Sequence, residues 1–353
     1  MNNSTDESKR PTTKRPTLKD VGRLANVDAS LVSKLLNNDP NVSASTATRE
    51  RVLVAVQELH YKPNLRARGL RLSRTWMIGA VFPDLRNPVY VPIFEGARAQ
   101  AAKHGYGLIL GTADGPPGSG QEAFERLLHD RHVDGLLIAS GLVGDEQLRQ
   151  LASNVEPVLV VNRYVKGVSS SVLVDDQAGC ELAAEHLCSL GHKKLGVISG
   201  AQSTRGDNES SERRVSAFSK RAVELGGNVT AAYADDWSSS AGLRAASGLL
   251  AQRPDITAIF ATTVMLALGV LRGSHKLGLL IPQQLSVISL HDTEAAEFTE
   301  PPLTTVALPL EALGEIAVER LLQKIEGIEV GHEVVSDEPK LILRESTSRV
   351  SRA

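Results

Sequence analysis

The chain has 353 residues, a formal net charge of −2, and 42% hydrophobic, 23% charged and 4% aromatic residues. That length exceeds the ~250–300 residues at which one core usually divides, so two or more domains are expected in an otherwise ordinary globular composition. The charge is uneven: residues 1–75 carry fourteen Lys/Arg against seven Asp/Glu, the remainder 25 against 34, which predicts a basic head for a polyanion on an acidic body.

The leader "MNNSTDESKRPTTKRPT" has no apolar stretch able to serve as a signal peptide. No later segment runs the ~18 apolar residues of a membrane span, so a cytoplasmic location is expected. Cys180 and Cys188 are eight apart in a helical-looking stretch. At ~1.5 Å rise per residue they stand ~12 Å apart, too far for a disulfide, and read as packing residues.

After a disordered leader (residues 1–16), Thr17 can cap a helix in "TLKDVGRLA", with Leu18, Val21, Leu24 and Ala25 on one face. Asn26 tolerates a left-handed turn, and Asp28 can cap a second helix, "ASLVSKLLN". Two helices joined so tightly form a helix-turn-helix. In the second helix Leu31, Val32, Leu35 and Leu36 can face inward, leaving Ala29, Ser30, Ser33 and Lys34 outward, short enough to approach base edges. A generic three-helix bundle with a solvated face is the competing reading. A third helix, "TATRERVLVAVQELHY", carries Val52, Val56 and Leu59 and ends before Pro63.

"TLKDVGRLANVDASLVSKLLN" followed by "TRERVLVAVQELHYKPNLRARGL" resembles the DNA-binding headpiece and hinge of the lactose-repressor (LacI/GalR) family of bacterial transcription regulators. The similarity continues through "NPVYVPIFEGA", "RHVDGLLIAS", "EHLCSLGHKKLGVISG", "RRVSAF", "PPLTTV" and "LILRES". The resemblance implies a small all-α helix-turn-helix headpiece plus an α/β two-lobe, periplasmic-binding-protein-like core with parallel sheets. Ala29, Ser30 and Lys34 fall at matching base-reading positions, with Thr17, Ser33 and Asn41 beside them in the DNA-contacting set. The family usually has alanine at Gly22, glycine at Asn26 and serine at Asp28, and "VSASTAT" is two residues longer than its usual spacing.

Residues 64–75, "NLRARGLRLSRT", interleave four arginines with three leucines. They match the family's hinge, which folds only when two copies meet in a minor groove. Alone, so short and cationic a segment containing Gly69 should stay unfolded. On DNA, phosphates neutralise Arg66, Arg68, Arg71 and Arg74, while Leu70, at the family's wedge position, opens a base step. A solvated linker is the bland alternative.

From Trp76 onward, "WMIGAVFP", "YGLILGT", "VDGLLIA", "PVLVVN", "KLGVISG", "TAIFAT" and "LSVISL" alternate with helical segments, as parallel α/β sheets require. The expected domains are the headpiece at 17–63, the hinge at 64–75, a core at 76–345 and a tail at 346–353. By the resemblance, the first lobe takes 76–172 and 304–335 and the second 173–303 and 336–345. A ligand is expected between them at the carboxyl ends of the strands. No G-x-G-x-x-G, G-x-x-x-x-G-K-[ST] or G-x-S-x-G is present, so no enzymatic activity, cofactor or metal is expected; "HDRH" at 129–132 reads as a solvated helix end.

Matching positions singly, the resemblance places the effector against Tyr90, Asn162, Arg214, Trp237, Thr263 and His291. Arg214 could instead make a surface ion pair and Trp237 could be a core aromatic. Thr263 and Val264 stand where many members carry Asn-Asp, and His291 and Asn162 where they carry aspartate. The lost acidic and amide groups leave the cleft less negative. The expected effector is therefore a sugar, sugar acid or sugar phosphate, the anionic kinds preferred. The expected partners are a palindromic double-stranded operator and a second copy of the chain, with no membrane. The expected function is an allosteric regulator, most often a repressor of carbohydrate or sugar-acid genes; an exported transport protein or an α/β enzyme are the rivals.

Overall fold

The computed structural model describes residues 16–36, 42–61, 74–83, 86–112, 127, 132–139, 145–153, 157–168, 170–201 and 209–350. The chain divides into two compact units, Met1–Arg74 and Thr75–Ala353.

The first unit holds α1 (Leu18–Ala25), α2 (Ala29–Leu36) and α3 (Thr46–Glu58). Thr17 and Asp20 start α1 reciprocally, the Thr17 backbone N–H donating to the Asp20 carboxylate at 2.9 Å. The helix ends at Asn26, which is left-handed (φ 55°). Ser45 caps α3 by accepting the Thr48 backbone N–H. Val21, Ala25, Val32, Leu35, Val52, Ala55 and Tyr61 form the core. Leu24, expected inward, is 49% exposed. It lies ~100° around the helix from Ala25, and eight residues present only a narrow stripe to so small a core.

Gly22 packs directly against the turn that follows α1. A methyl group there would stand 2.7 Å from the Val27 carbonyl oxygen, closer than carbon and oxygen can pack. That oxygen lies in the turn itself, where the Val27 N–H donates back to the Gly22 carbonyl.

The second unit contains two six-stranded sheets. The first has β1 (Met77–Phe82), β2 (Gly107–Thr112), β3 (Gly135–Ile138), β4 (Val158–Val161), β5 (Ser171–Leu173) and β11 (His332–Val334), in the order β11-β5-β4-β3-β1-β2. The other has β6 (Lys194–Ser199), β7 (Asn228–Tyr233), β8 (Ala258–Ala261), β9 (Ser286–Leu290), β10 (Thr304–Ala307) and β12 (Lys340–Ile342), in the order β12-β10-β9-β8-β6-β7. Pairing is parallel except between β10 and β12. Central strands such as β3, β4, β8 and β9 are buried along their whole length, as parallel strands covered on both faces must be.

Helices α4 (Tyr90–Lys103), α5 (Asp145–Ser153) and α11 (Leu310–Ile325) pack with the first sheet, and α6 (Asp176–Ser189), α7 (Glu209–Glu224), α8 (Ser239–Gln252) and α9 (Val264–Lys276) with the second. A short α10 (Glu294–Glu297) follows β9. The chain passes between the lobes after β5, between β10 and α11, and between β11 and β12.

The second crossing corrects the expected boundary. Thr304–Ala307 belongs to the second lobe, where Thr304, Thr305 and Val306 pair with Ile288, Ser289 and Leu290. A four-residue strand followed at once by a helix gives no sequence signal as to which sheet receives it; the buried pairing with β9 decides.

The expected tail is also different in its described part. Ser346 is fully buried and exchanges bonds with Val287, accepting its N–H and donating to its carbonyl. The Ser348 N–H donates to the Ser286 hydroxyl, the Val350 N–H to the Leu190 carbonyl, and His192 Nε2 lies 3.0 Å from the Ser348 carbonyl oxygen. Residues 346–350 thus strap the amino-terminal edge of the second sheet. Among the described residues no helix is long and apolar enough to cross a membrane.

Candidate nucleic-acid interface and effector site

On α2, Val32 and Leu35 are buried while Ser30 and Lys34 are exposed and Ala29 and Ser33 half-buried. Asp28 precedes the helix, and its carboxylate accepts the Ser30 backbone N–H at 2.7 Å. Hydrogen bonding from Ser30 holds the exposed Asp28 below the usual carboxylate range. Thr17 is similarly engaged, its hydroxyl donating to Asp20 at 2.7 Å. Asn41, Arg66, Arg68, Leu70 and Arg71 lie outside the described residues.

In the second unit the candidate effector residues stand at the carboxyl-terminal edges of the sheets. Asn162 directly follows β4, and Tyr90 opens α4 with its ring 5.4 Å from that of Phe82 at the end of β1. Thr263 follows β8, His291 follows β9, and Trp237 lies in the segment after β7. Trp237 covers the backbone of Gly200, just past β6, so closely that any side chain at that position would meet the indole. The Ser211 hydroxyl donates to the Gly200 carbonyl, which links this platform to α7 and Arg214.

Arg214 is buried and makes an internal ion pair instead of a surface one. Its Nε lies 3.1 Å from Asp176 Oδ2, its Nη2 donates to Oδ1 at 3.2 Å, and its Nη1 donates to the Thr262 carbonyl at 3.2 Å. Arg213 donates to the same carboxylate at 2.7 Å. Burial pushes the Asp176 carboxyl up, but Arg214 and Arg213 outweigh it and hold it below the usual range. His291 is 1% exposed and neither ring nitrogen has a hydrogen-bond partner. Burial, with Arg214 adding to it against Asp176, pushes its imidazole down to about 3, so the ring is neutral.

Asn162 and His291 share a further feature. Both are left-handed, φ 56° and 70°, immediately past a strand. For histidine this conformation is costly. The Asn162 Oδ1 is buried without a hydrogen-bond partner, so the two residues together present unsatisfied acceptors and a donor, as a hydroxyl-bearing ligand would use. Thr263 has a local duty: its hydroxyl caps α9 by accepting the Leu266 N–H.

Sequence reasoning missed Asp176, Arg213 and Gly200. The doubled charges "DD" at 175–176 and "RR" at 213–214 were the available signal, but nothing in the spacing paired them. Counting Asp176, Arg213, Arg214 and a neutral His291, the cluster carries one net positive charge. Asp292, next to His291, is occupied elsewhere, accepting from Thr305 and Arg344 at 2.7 Å each. Among the described residues no His/Cys/Asp/Glu group could hold a metal ion.

Residues 17–64 match the model for bacterial regulatory proteins of the lacI family, and residues 184–347 that for a periplasmic binding protein-like domain. The chain belongs to the lacI family of bacterial regulatory proteins. It is 32% identical to the HTH-type transcriptional regulator reg1 of Streptomyces lividans, across 94% of this chain and 96% of reg1. The lac repressor dimer bound to operator and the anti-inducer ONPF superposes with a TM-score of 0.80 at 26% identity, covering 95% of this chain and all of that one. A complex of the transcriptional regulator CelR with cellobiose gives 0.69 at 30% identity, over 94% of this chain and all of that one. As a lacI-family member the chain is a DNA-binding transcription regulator and not an enzyme.

Proposed function

We propose that this lacI-family chain is a cytoplasmic repressor that binds a palindromic operator as a homodimer and answers to a small effector of the carbohydrate or sugar-acid class. The observation that carries the reading is the gathering of Arg214, Trp237, Thr263 and His291 at the carboxyl-terminal edge of one sheet, with Asn162 and Tyr90 at the same edge of the other. Ligands bind α/β sheets at those edges. The relative solved with cellobiose and the one solved as an operator-bound dimer supply the carbohydrate class, the DNA and the pairing by analogy.

Base reading falls to Ala29, Ser30, Ser33 and Lys34, with Thr17 and Asn41 beside them. Arg66, Arg68 and Arg71 neutralise phosphates, and Leu70 enters a central base step. One head and one hinge cover half a palindrome, so two copies are required. Effector binding changes how two first lobes sit together and thereby whether paired hinges can fold on DNA, a coupling of ~1–3 kcal/mol in typical cases.

The net positive charge around Arg213 and Arg214 favours an anionic effector, a sugar acid or sugar phosphate. Calorimetric titration with a hexose and its uronic acid tests this. The acid should bind more tightly, and tighter binding of the neutral sugar would refute the charge argument while leaving the carbohydrate class intact.

A further inference from the structure

We infer that Asp134 is the anchor by which the second unit fixes the point where the hinge leaves it, and that this anchor sets the half-site spacing of the operator. The inference rests on the reading of residues 64–75 as a hinge that pairs with its copy on DNA, and adds the residue that holds its exit.

Thr75, the last residue of the expected hinge, is the first residue of the second unit. Its backbone N–H donates to Asp134 Oδ1 at 2.6 Å and its hydroxyl to the same oxygen at 2.8 Å, while the Trp76 N–H donates to Oδ2 at 2.9 Å. Both oxygens of one carboxylate are thus engaged by two consecutive residues at the exit. The Asp134 N–H returns a bond to the Met77 carbonyl at 2.8 Å, and on the other side of β1 the Gly107 N–H donates to the Trp76 carbonyl at 2.9 Å. The exit is tied toward both strands that flank β1. Asp134 is itself held in place: Val133 before it is buried, and Gly135 after it opens β3, in register with Ile78 of β1.

Trp76 shows that this corner is fixed. Its backbone is left-handed, φ 59°, a conformation that a bulky side chain keeps only where the surroundings over-determine it. Its ring lies 5.2 Å from that of Tyr106. A connector that served only as slack would need neither the strained turn nor the three bonds to one carboxylate. A fixed exit matters on a palindrome, where the separation of half-sites mirrors the symmetry of the protein. One base pair added or removed moves a half-site by ~3.4 Å and turns it by ~35°. With each hinge leaving from a fixed point, the second head is presented at high effective concentration for one spacing and at low concentration for its neighbours; a slack exit evens them out. Asp134 is a positioning residue acting through Thr75 and Trp76.

The test is fluorescence anisotropy of the full-length protein on the palindrome it selects from random DNA, on that palindrome with one base pair inserted or removed at its centre, and on a scrambled duplex. The wild type should favour the selected spacing over both neighbours by about 10-fold or more, the equivalent of ~1.4 kcal/mol. Asp134→Ala should reduce that contrast to about 3-fold or less, chiefly by weaker binding of the selected palindrome, while the scrambled duplex binds as before. Thr75→Val, which removes only the hydroxyl's bond, should shift the contrast in the same direction by a smaller factor. An unchanged contrast in Asp134→Ala, or in Thr75→Val where the alanine variant does not fold, overturns the inference. So does a loss in Asp134→Ala that falls equally on all four duplexes, which would make Asp134 a residue of stability alone. A wild type that enriches no palindrome contradicts instead the regulator reading on which the inference stands.

Discussion

Asp176 and Arg214 form an ion pair shielded from solvent, the carboxylate fully buried and the guanidinium 5% exposed, with Nε 3.1 Å from Oδ2. Each charge is tolerable there only because of the other, and Arg213 bonds the same carboxylate from the rim. Removing one partner of such a pair strands the rest. Asp176→Ala should destabilise the second unit by ~3–5 kcal/mol in urea denaturation, and Asp176→Asn, which keeps the shape but not the charge, should also destabilise. A loss below ~1 kcal/mol for the alanine variant would mean that the pair is not closed to water.

The neutral His291 makes stability depend on acid. Its folded-state pKa of about 3 lies below the ordinary 6.5, so the unfolded chain takes up a proton that the folded one refuses. The stabilisation is fully present above pH ~6.5 and is lost as the pH falls toward ~3, with a slope of up to ~1.4 kcal/mol per unit. His186 and His192, lowered by burial, act in the same direction. Denaturation midpoints of wild type and His291→Gln from pH 7.5 to pH 4.5 separate the contributions: the variant should show a shallower dependence, and equal slopes would remove His291 from the account.

Gly22 presents two opposing effects of known size. Alanine would improve helix propensity by up to ~1 kcal/mol, yet its methyl would lie 2.7 Å from the Val27 carbonyl. A backbone oxygen in a tight turn cannot move aside cheaply, so the collision wins. Gly22→Ala should lower amide-exchange protection in α1 and α2 and weaken DNA binding; higher protection would show that the turn adapts.

The chain has two tryptophans, Trp76 and Trp237. If Trp237 on Gly200 forms one wall of the effector site, a bound ligand should change its emission. The change should survive Trp76→Phe and vanish in Trp237→Phe; persistence in the latter would make Trp237 a packing residue.

Much of this was legible in the sequence because it depends on short-range pattern. The helix-turn-helix followed from apolar spacing and from Asn26 and Asp28 at the turn, and the long apolar strands of both sheets stood out. Strands β5, β11 and β12 are three residues each, too short for a period to register, and β7 is a half-buried edge strand with small residues. The candidate site could be named position by position but not as chemistry. Asp176 is separated from Arg213 and Arg214 by 37 and 38 residues, and the left-handed backbone of Asn162 and His291 is set by tertiary context. Resemblance supplied the candidate positions, whereas the buried counter-ion could come only from the fold.

Leu70 offers a separation of the two activities. As the residue assigned to the central base step, Leu70→Ala should weaken operator binding while effector affinity, measured by calorimetry, is unchanged. Unaltered operator affinity would reject the wedge assignment.

The central claim, ligand-governed recognition of a specific palindrome, is most directly tested by fluorescence anisotropy of the full-length protein on its selected palindrome and on scrambled DNA of equal length, between ~50 and ~200 mM salt. Each titration is repeated with a panel of hexoses and their uronic acids. The palindrome should bind at least ~10³-fold more tightly than the scrambled duplex, and one panel member should shift that affinity by ~5–150-fold. Equal affinity for both duplexes at every salt concentration, unchanged by any panel member, would contradict it.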